Sequence, residues 1–141
     1  MLSTPMKLLF CLLVLTARTL PQQNSYSFVL DSIDAHILLT MKTLDPVPCL
    51  GSTIRNQVEC DGDTIVVITG GFIRPTPCID GMDPASTRIS LGRQAKATFY
   101  LRFREETFDD LWKVSRTEGG FEALPAHRSF TSYVKQVAGK K

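Results

Sequence analysis

The chain carries only two histidines, no Cys-x-x-Cys pair and no Gly-x-Ser-x-Gly element, and each gap removes a class of function. Zinc is held by closely spaced cysteine and histidine ligands, whereas His36 and His127 stand alone and the cysteines lie far apart in sequence. No metal site is therefore expected, and the carboxylates Asp80 and Asp83 lack the spacing of an EF-hand calcium loop. Phosphate-cradling loops are missing too. Gly70-Gly71 and Gly119-Gly120 are bare doublets without the following lysine and hydroxyl residue. Charge of one sign is scarce: 16 Lys and Arg stand against 14 Asp and Glu, and the only basic run is Lys140-Lys141. That balance gives no electrostatic footprint for nucleic acid. Neither a cofactor motif nor an internal repeat is present, and no cofactor is expected.

What is present begins with an apolar leader. Residues 1–20 read MLSTPMKLLFCLLVLTARTL, with Lys7 as the only charge before the run Leu8 to Leu15 and small residues at Thr16 and Ala17. A positive start, a short apolar stretch and a small-residue cut site form a secretory signal. The apolar stretch is far shorter than the ~20 residues of a bilayer-spanning helix. The expected organisation is a signal segment at 1–19, cut after Ala17 or Thr19, a polar lead-in at 20–34, a folded domain at 35–137 and a frayed basic tail at 138–141. Cys11 leaves with the signal, no transmembrane span remains, and the protein is expected to be secreted or periplasmic. With 43% apolar and 21% charged residues, the rest has a globular balance. A domain of roughly 120 residues buries about two thirds of its unfolded surface, enough to fold without a metal.

Export places the remaining cysteines, Cys49, Cys60 and Cys78, in an oxidising compartment where bridges persist. Three thiols allow one intrachain bridge and leave one over. Cys49–Cys78 is the favoured pair; it closes a loop of about 30 residues, worth roughly 3–4 kcal/mol by loop entropy. Cys49–Cys60 is the alternative if both occupy neighbouring strand ends.

The rest of the chain reads as strands. Residues 22–27 look like an extended lead-in, and 28–44 fit either a helical stripe or an alternating strand, with a strand over Ala35–Thr43 preferred. Asp45-Pro46-Val47-Pro48 breaks the pattern. Ser52–Glu59 and the β-branched run Thr64–Thr69 flank Asp61-Gly62, the signature of a hairpin with a type I′ turn. Gly70-Gly71 ends that strand. Further strands are expected at Ser86–Leu91, Ala95–Arg104, Phe108–Val114 and Ser129–Val137, with a turn at Glu105-Glu106. In Ala95–Arg104 the alternation puts Ala97, Phe99, Leu101 and Phe103 on one face and Thr98, Tyr100, Arg102 and Arg104 on the other. Short strands at regular spacing indicate an all-β sandwich or barrel.

Between Asp45 and Val114 the chain resembles small exported bacterial domains with an immunoglobulin-like β-sandwich fold. The residues that carry the likeness are Pro46-Val47-Pro48-Cys49, Asp61-Gly62-Asp63-Thr64-Ile65-Val66-Val67, Cys78 and Ile89-Ser90-Leu91-Gly92, closed by Ala97–Phe103. Cys60 and Lys96-Ala97 depart from that pattern. The resemblance implies an antiparallel, immunoglobulin-like sandwich with a Cys49–Cys78 disulfide; domains of this kind mostly have no assigned activity.

Candidate chemistry is thin. Cys60 with His36 or His127 is formally a nucleophile–base pair, and a small secreted hydrolase using Cys60 or a histidine is the alternative reading. Trp112, Phe99, Phe103, Phe108 and Phe121 are better read as core than as a ligand groove. The exposed stripe Tyr100, Arg102 and Arg104 and the loop Phe72–Pro84 with Arg74 are the candidate binding surfaces. The function expected is that of an exported, non-catalytic domain that binds an unknown protein or surface partner, as in adhesion, envelope structure or protease inhibition.

Overall fold

The computed structural model describes residues 25–136, and every regular element in that range is a strand. The leader, Cys11, the cut site and the basic tail lie outside the described residues. The first hairpin joins β1 (Tyr26–Ile33) to β2 (His36–Thr43). The chain then forms β3 (Val47–Pro48), the hairpin of β4 (Thr53–Asp61) and β5 (Thr64–Ile73), and β6 (Met82–Asp83). It ends with β7 (Ser86–Gly92), β8 (Thr98–Glu105), β9 (Phe108–Thr117), β10 (Gly120–His127) and β11 (Thr131–Tyr133).

These strands make a four-stranded sheet in the order β11-β1-β2-β7, a five-stranded sheet in the order β10-β9-β8-β5-β4, and a short ribbon of β3 and β6. Alternation decides which face of each strand meets the other sheet. Tyr26, Phe28 and Leu30 of β1, Ile37, Leu39 and Met41 of β2, and Phe99, Leu101 and Phe103 of β8 are all buried. Phe28 bridges the two layers, its ring centroid 4.7 Å from Phe103 and 5.1 Å from Trp112. Edge-to-face and tilted arrangements at such distances add to the area term of aromatic burial. The fold is thus an all-β sandwich, and the aromatic residues of this cluster other than half-buried Phe72, Phe108 and Tyr133 are buried.

Several expectations are corrected here. The sandwich is not purely antiparallel: β5 runs parallel to β8, and β1 runs parallel to β11. A parallel pair needs a crossover, and the chain supplies one by leaving β5, passing through β6 and β7, and returning as β8. The segment read as a polar lead-in contains β1, a core strand. Its hairpin turn holds Asp34 and Ala35 at φ 51° and 65°, the two positive values that a type I′ turn requires. At Asp61-Gly62 the geometry is different. Asp61 pairs with Thr64, so Gly62 and Asp63 are the central residues, and only Gly62 has positive φ. Nor does Gly70-Gly71 end β5; it forms a bulge opposite Arg55, and the strand continues to Ile73. Finally, β10 occupies part of the tail, and the last described strand covers only Thr131–Tyr133.

Candidate functional site

The sandwich is closed at its two edges in different ways. At the edge of β4 and β7 the closure is covalent. The loop between β5 and β7 returns to the β3 region through the Cys49–Cys78 disulfide, with Cα atoms 5.2 Å apart. Backbone hydrogen bonds continue the join: Cys49 N–H donates to Gly81 O at 3.1 Å, Leu50 N–H to Ile79 O at 3.0 Å, and Ser86 N–H to Ser52 O at 3.2 Å. Gly81 is required there, because a Cβ at its φ of 151° would lie 2.7 Å from the Leu50 side chain. The result is a braced loop whose side chains are unusually apolar for their exposure. Leu50, Ile73, Ile79 and Met82 are 38, 49, 59 and 61% exposed. They are half of the eight large apolar side chains exposed among the described residues. Ile79 and Met82 lie on the loop, Ile73 ends β5 and Leu50 follows β3 on the bridged segment; apolar side chains left exposed in this way are a feature of protein-binding surfaces.

The other edge is closed by a buried carboxylate. Asp110, on β9, is fully enclosed and accepts five hydrogen bonds from the turn into β11. Ser129 N–H and Oγ–H reach Oδ1 at 2.7 and 3.0 Å. Phe130 N–H reaches Oδ2 at 3.1 Å, and the Thr131 N–H and hydroxyl reach it at 2.8 and 2.6 Å. Trp112 Nε1–H donates to Thr131 Oγ1 at 2.9 Å. Burial pushes the Asp110 carboxyl up, but the Thr131 hydroxyl and the three backbone N–H groups more than offset it, so its pKa lies below the usual carboxylate value. With both oxygens occupied by structural donors and the side chain fully buried, Asp110 fastens β9 to the turn into β11. It was not among the candidates read from sequence. One signal could have found it: Asp110, Trp112 and Val114 share a face of β9, so a carboxylate stands at an inward position.

The residues singled out from sequence do not converge on one site. Tyr100, Arg102 and Arg104 do line the outer face of central strand β8, beside Lys113, Leu111 and Asp109 of β9. Arg102 is held by Asp109, Nε to Oδ1 at 2.8 Å, so its charge is already matched. Arg74 is not part of that stripe. Ile68 is opposite Arg104, and Arg74 follows the end of β5 at Ile73, roughly 17 Å further on by strand rise. It belongs with the braced loop. Cys60 is an exposed free thiol on β4, whereas His127 is on β10 at the opposite edge of the same five-stranded sheet. Three strands between them imply a separation of roughly 19 Å. His36 accepts a hydrogen bond from Arg93 Nε at 3.4 Å. Among the described residues no three His, Cys, Asp or Glu gather to hold a metal ion. Two surface grooves, of about 210 and 260 Å³, flank β1 and the turn into β11. Both are below the usual size of small-molecule sites.

No family model matches the chain, and neither a curated protein nor a solved structure matches it. No helix among the described residues is long and apolar enough to cross a membrane.

Proposed function

We propose that the protein is an exported, non-catalytic binding domain that engages a protein partner through the braced loop between β5 and β7. The observation that carries this reading is the exposure of Ile79 and Met82 on a loop fixed by a disulfide and backbone hydrogen bonds, with exposed Ile73 at its start and exposed Leu50 on the segment bridged to it. A pre-ordered loop loses little conformational entropy on binding, so more of its contact energy appears as affinity. Three prolines, Pro75, Pro77 and Pro84, restrict the same segment further. The immunoglobulin-like family and the bacterial origin belong to this proposal, as does secretion into an extracellular or periplasmic space. The disulfide and the apolar leader both agree with that compartment.

The test is a loop variant that spares the fold. Ile79→Ser with Met82→Ser removes exposed apolar area and no core contact, so the unfolding free energy should change by no more than the roughly 0.5 kcal/mol typical of surface changes. Capture of the partner identified with the wild-type protein should fall at least tenfold. A partner held equally by both proteins would sink the loop as the binding element.

A further inference from the structure

Beyond the loop, the edges of the two sheets differ in a way that points to a partner. Exposed edges are normally blunted by brevity, proline, bulges or lysine. In the four-stranded sheet β11 has three residues, and β7 is shifted in register against β2 near Ile37 and Leu38. In the five-stranded sheet β10 contains Pro125 and a bulge before His127. Strand β4 has nine residues, TIRNQVECD, with no proline, glycine or lysine, and the bulge opposite it lies in β5. No described strand pairs with its outer side.

We propose that β4 is the seam of a homodimer, in which two copies pair antiparallel about Gln57 to continue the five-stranded sheet. The register follows from charge. Gln57, Glu59 and Asp61 oppose Ile68, Val66 and Thr64, which places them with Arg55 on the outer face; Ile54, Asn56, Val58 and Cys60 share the other face, on which Ile54 is buried and Asn56 and Cys60 stay exposed. A two-fold axis at Gln57 sets Arg55 of each copy opposite Glu59 of the other, and opposite charges across a strand pair attract. It also uses all nine residues, because Thr53 then meets Asp61. An axis at Cys60 would instead set Glu59 against Asp61 twice, two like-charge contacts. An axis at Val58 would leave Thr53 and Ile54 without partners. Within one copy these charges are free for the task. The Arg102–Asp109 pair is the only ion pair among the described residues. Glu59 accepts one hydrogen bond, from neighbouring Gln57 at 3.2 Å, and the Arg55 side chain lies over Gly70. In this register Cys60 meets Ile54 of the other copy, and the two thiols are roughly 20 Å apart by strand rise. The dimer is therefore non-covalent.

Sedimentation equilibrium of the purified chain carrying Cys60→Ser tests this without interference from oxidation. A concentration-dependent monomer–dimer equilibrium is expected. Arg55→Glu in that background turns two attractive pairs into repulsive ones and should weaken the dimer about tenfold or more. Adding Glu59→Arg should restore it, since the pairs re-form with their signs exchanged. Both positions are exposed, so far-UV circular dichroism should be the same for all variants. Amide exchange should show β4 protection rising with protein concentration. The proposal is overturned by a monomer at every concentration, by a dimer that disappears with Cys60→Ser, or by Arg55→Glu leaving association unchanged. It is equally overturned if Asp61→Arg restores the dimer and Glu59→Arg does not.

Discussion

The two edges of the sandwich reach comparable security by opposite physical means. At β4 and β7 the disulfide acts mainly on the unfolded chain, by closing a loop that would otherwise explore many conformations. At β10 and β11 the Asp110 carboxylate acts on the native state alone, since its five donors converge only when β9 and the turn into β11 are in place. The covalent edge is held by the Cys49–Cys78 bridge and by backbone hydrogen bonds. At the hydrogen-bonded edge Ser129, Thr131 and Trp112 are all committed to the carboxylate or to one another. Exposed apolar side chains occur at both edges, Leu50, Ile73, Ile79 and Met82 at one and Leu124 and Val134 at the other, whereas the buried polar network is confined to the second.

The largest effect is expected from breaking the carboxylate. Asp110→Ala removes the acceptor for three backbone N–H groups and two hydroxyls around a fully buried carboxylate. Leaving buried donors without partners should cost about 3–5 kcal/mol. In urea denaturation the midpoint should fall with the slope m nearly unchanged, because the unfolded state is not altered. Replacing Cys49 and Cys78 with serine should cost slightly less, about 3–4 kcal/mol for the loop closed over a sequence separation of 29. Here m should rise, because the freed chain exposes more surface on unfolding. If both variants changed m alike, the division between native-state and unfolded-state fastening would fail.

How much of this was legible in the sequence follows from where each element signals itself. Strand β8 was legible because Phe99, Leu101 and Phe103 alternate with Tyr100, Arg102 and Arg104, and burial sorts them accordingly. The Cys49–Cys78 pairing was favoured from loop length and now stands in the structure. The β1–β2 hairpin was obscure because its turn residues, Asp34 and Ala35, include no glycine to announce positive φ. Strand β10 was hidden by Pro125, which occupies a tolerated place only because β10 is an edge. The parallel pairing of β5 with β8 could not be read locally, since it depends on the path of the crossover. Asp110 was passed over because an acidic pair beside a turn is ordinarily solvated. Of the candidate surfaces, the loop after Phe72 was marked by its prolines and cysteine. The exposure of Ile79 and Met82 could be established only in three dimensions.

The smallest effect is the one that separates the two edges most cleanly, because it needs no change in packing. Asp110 has a folded-state pKa below its ordinary value of 3.8. Its contribution is therefore complete above that value and is lost as pH falls through the lower, folded-state pKa, when protonation removes acceptor capacity. A single group changes stability by at most about 1.4 kcal/mol per pH unit. Comparing wild type with Asp110→Asn by urea denaturation between pH 5 and pH 2, about the range where such a carboxylate titrates, isolates this component from the other acids. The difference between the two proteins should shrink as the solution is acidified. The protein lacking both Cys49 and Cys78 should keep the wild-type acid profile, displaced downward by a constant amount, because a disulfide takes up no proton in this range. An Asp110→Asn protein that loses stability with acid as steeply as wild type would show that the buried carboxylate is not what the low pH attacks.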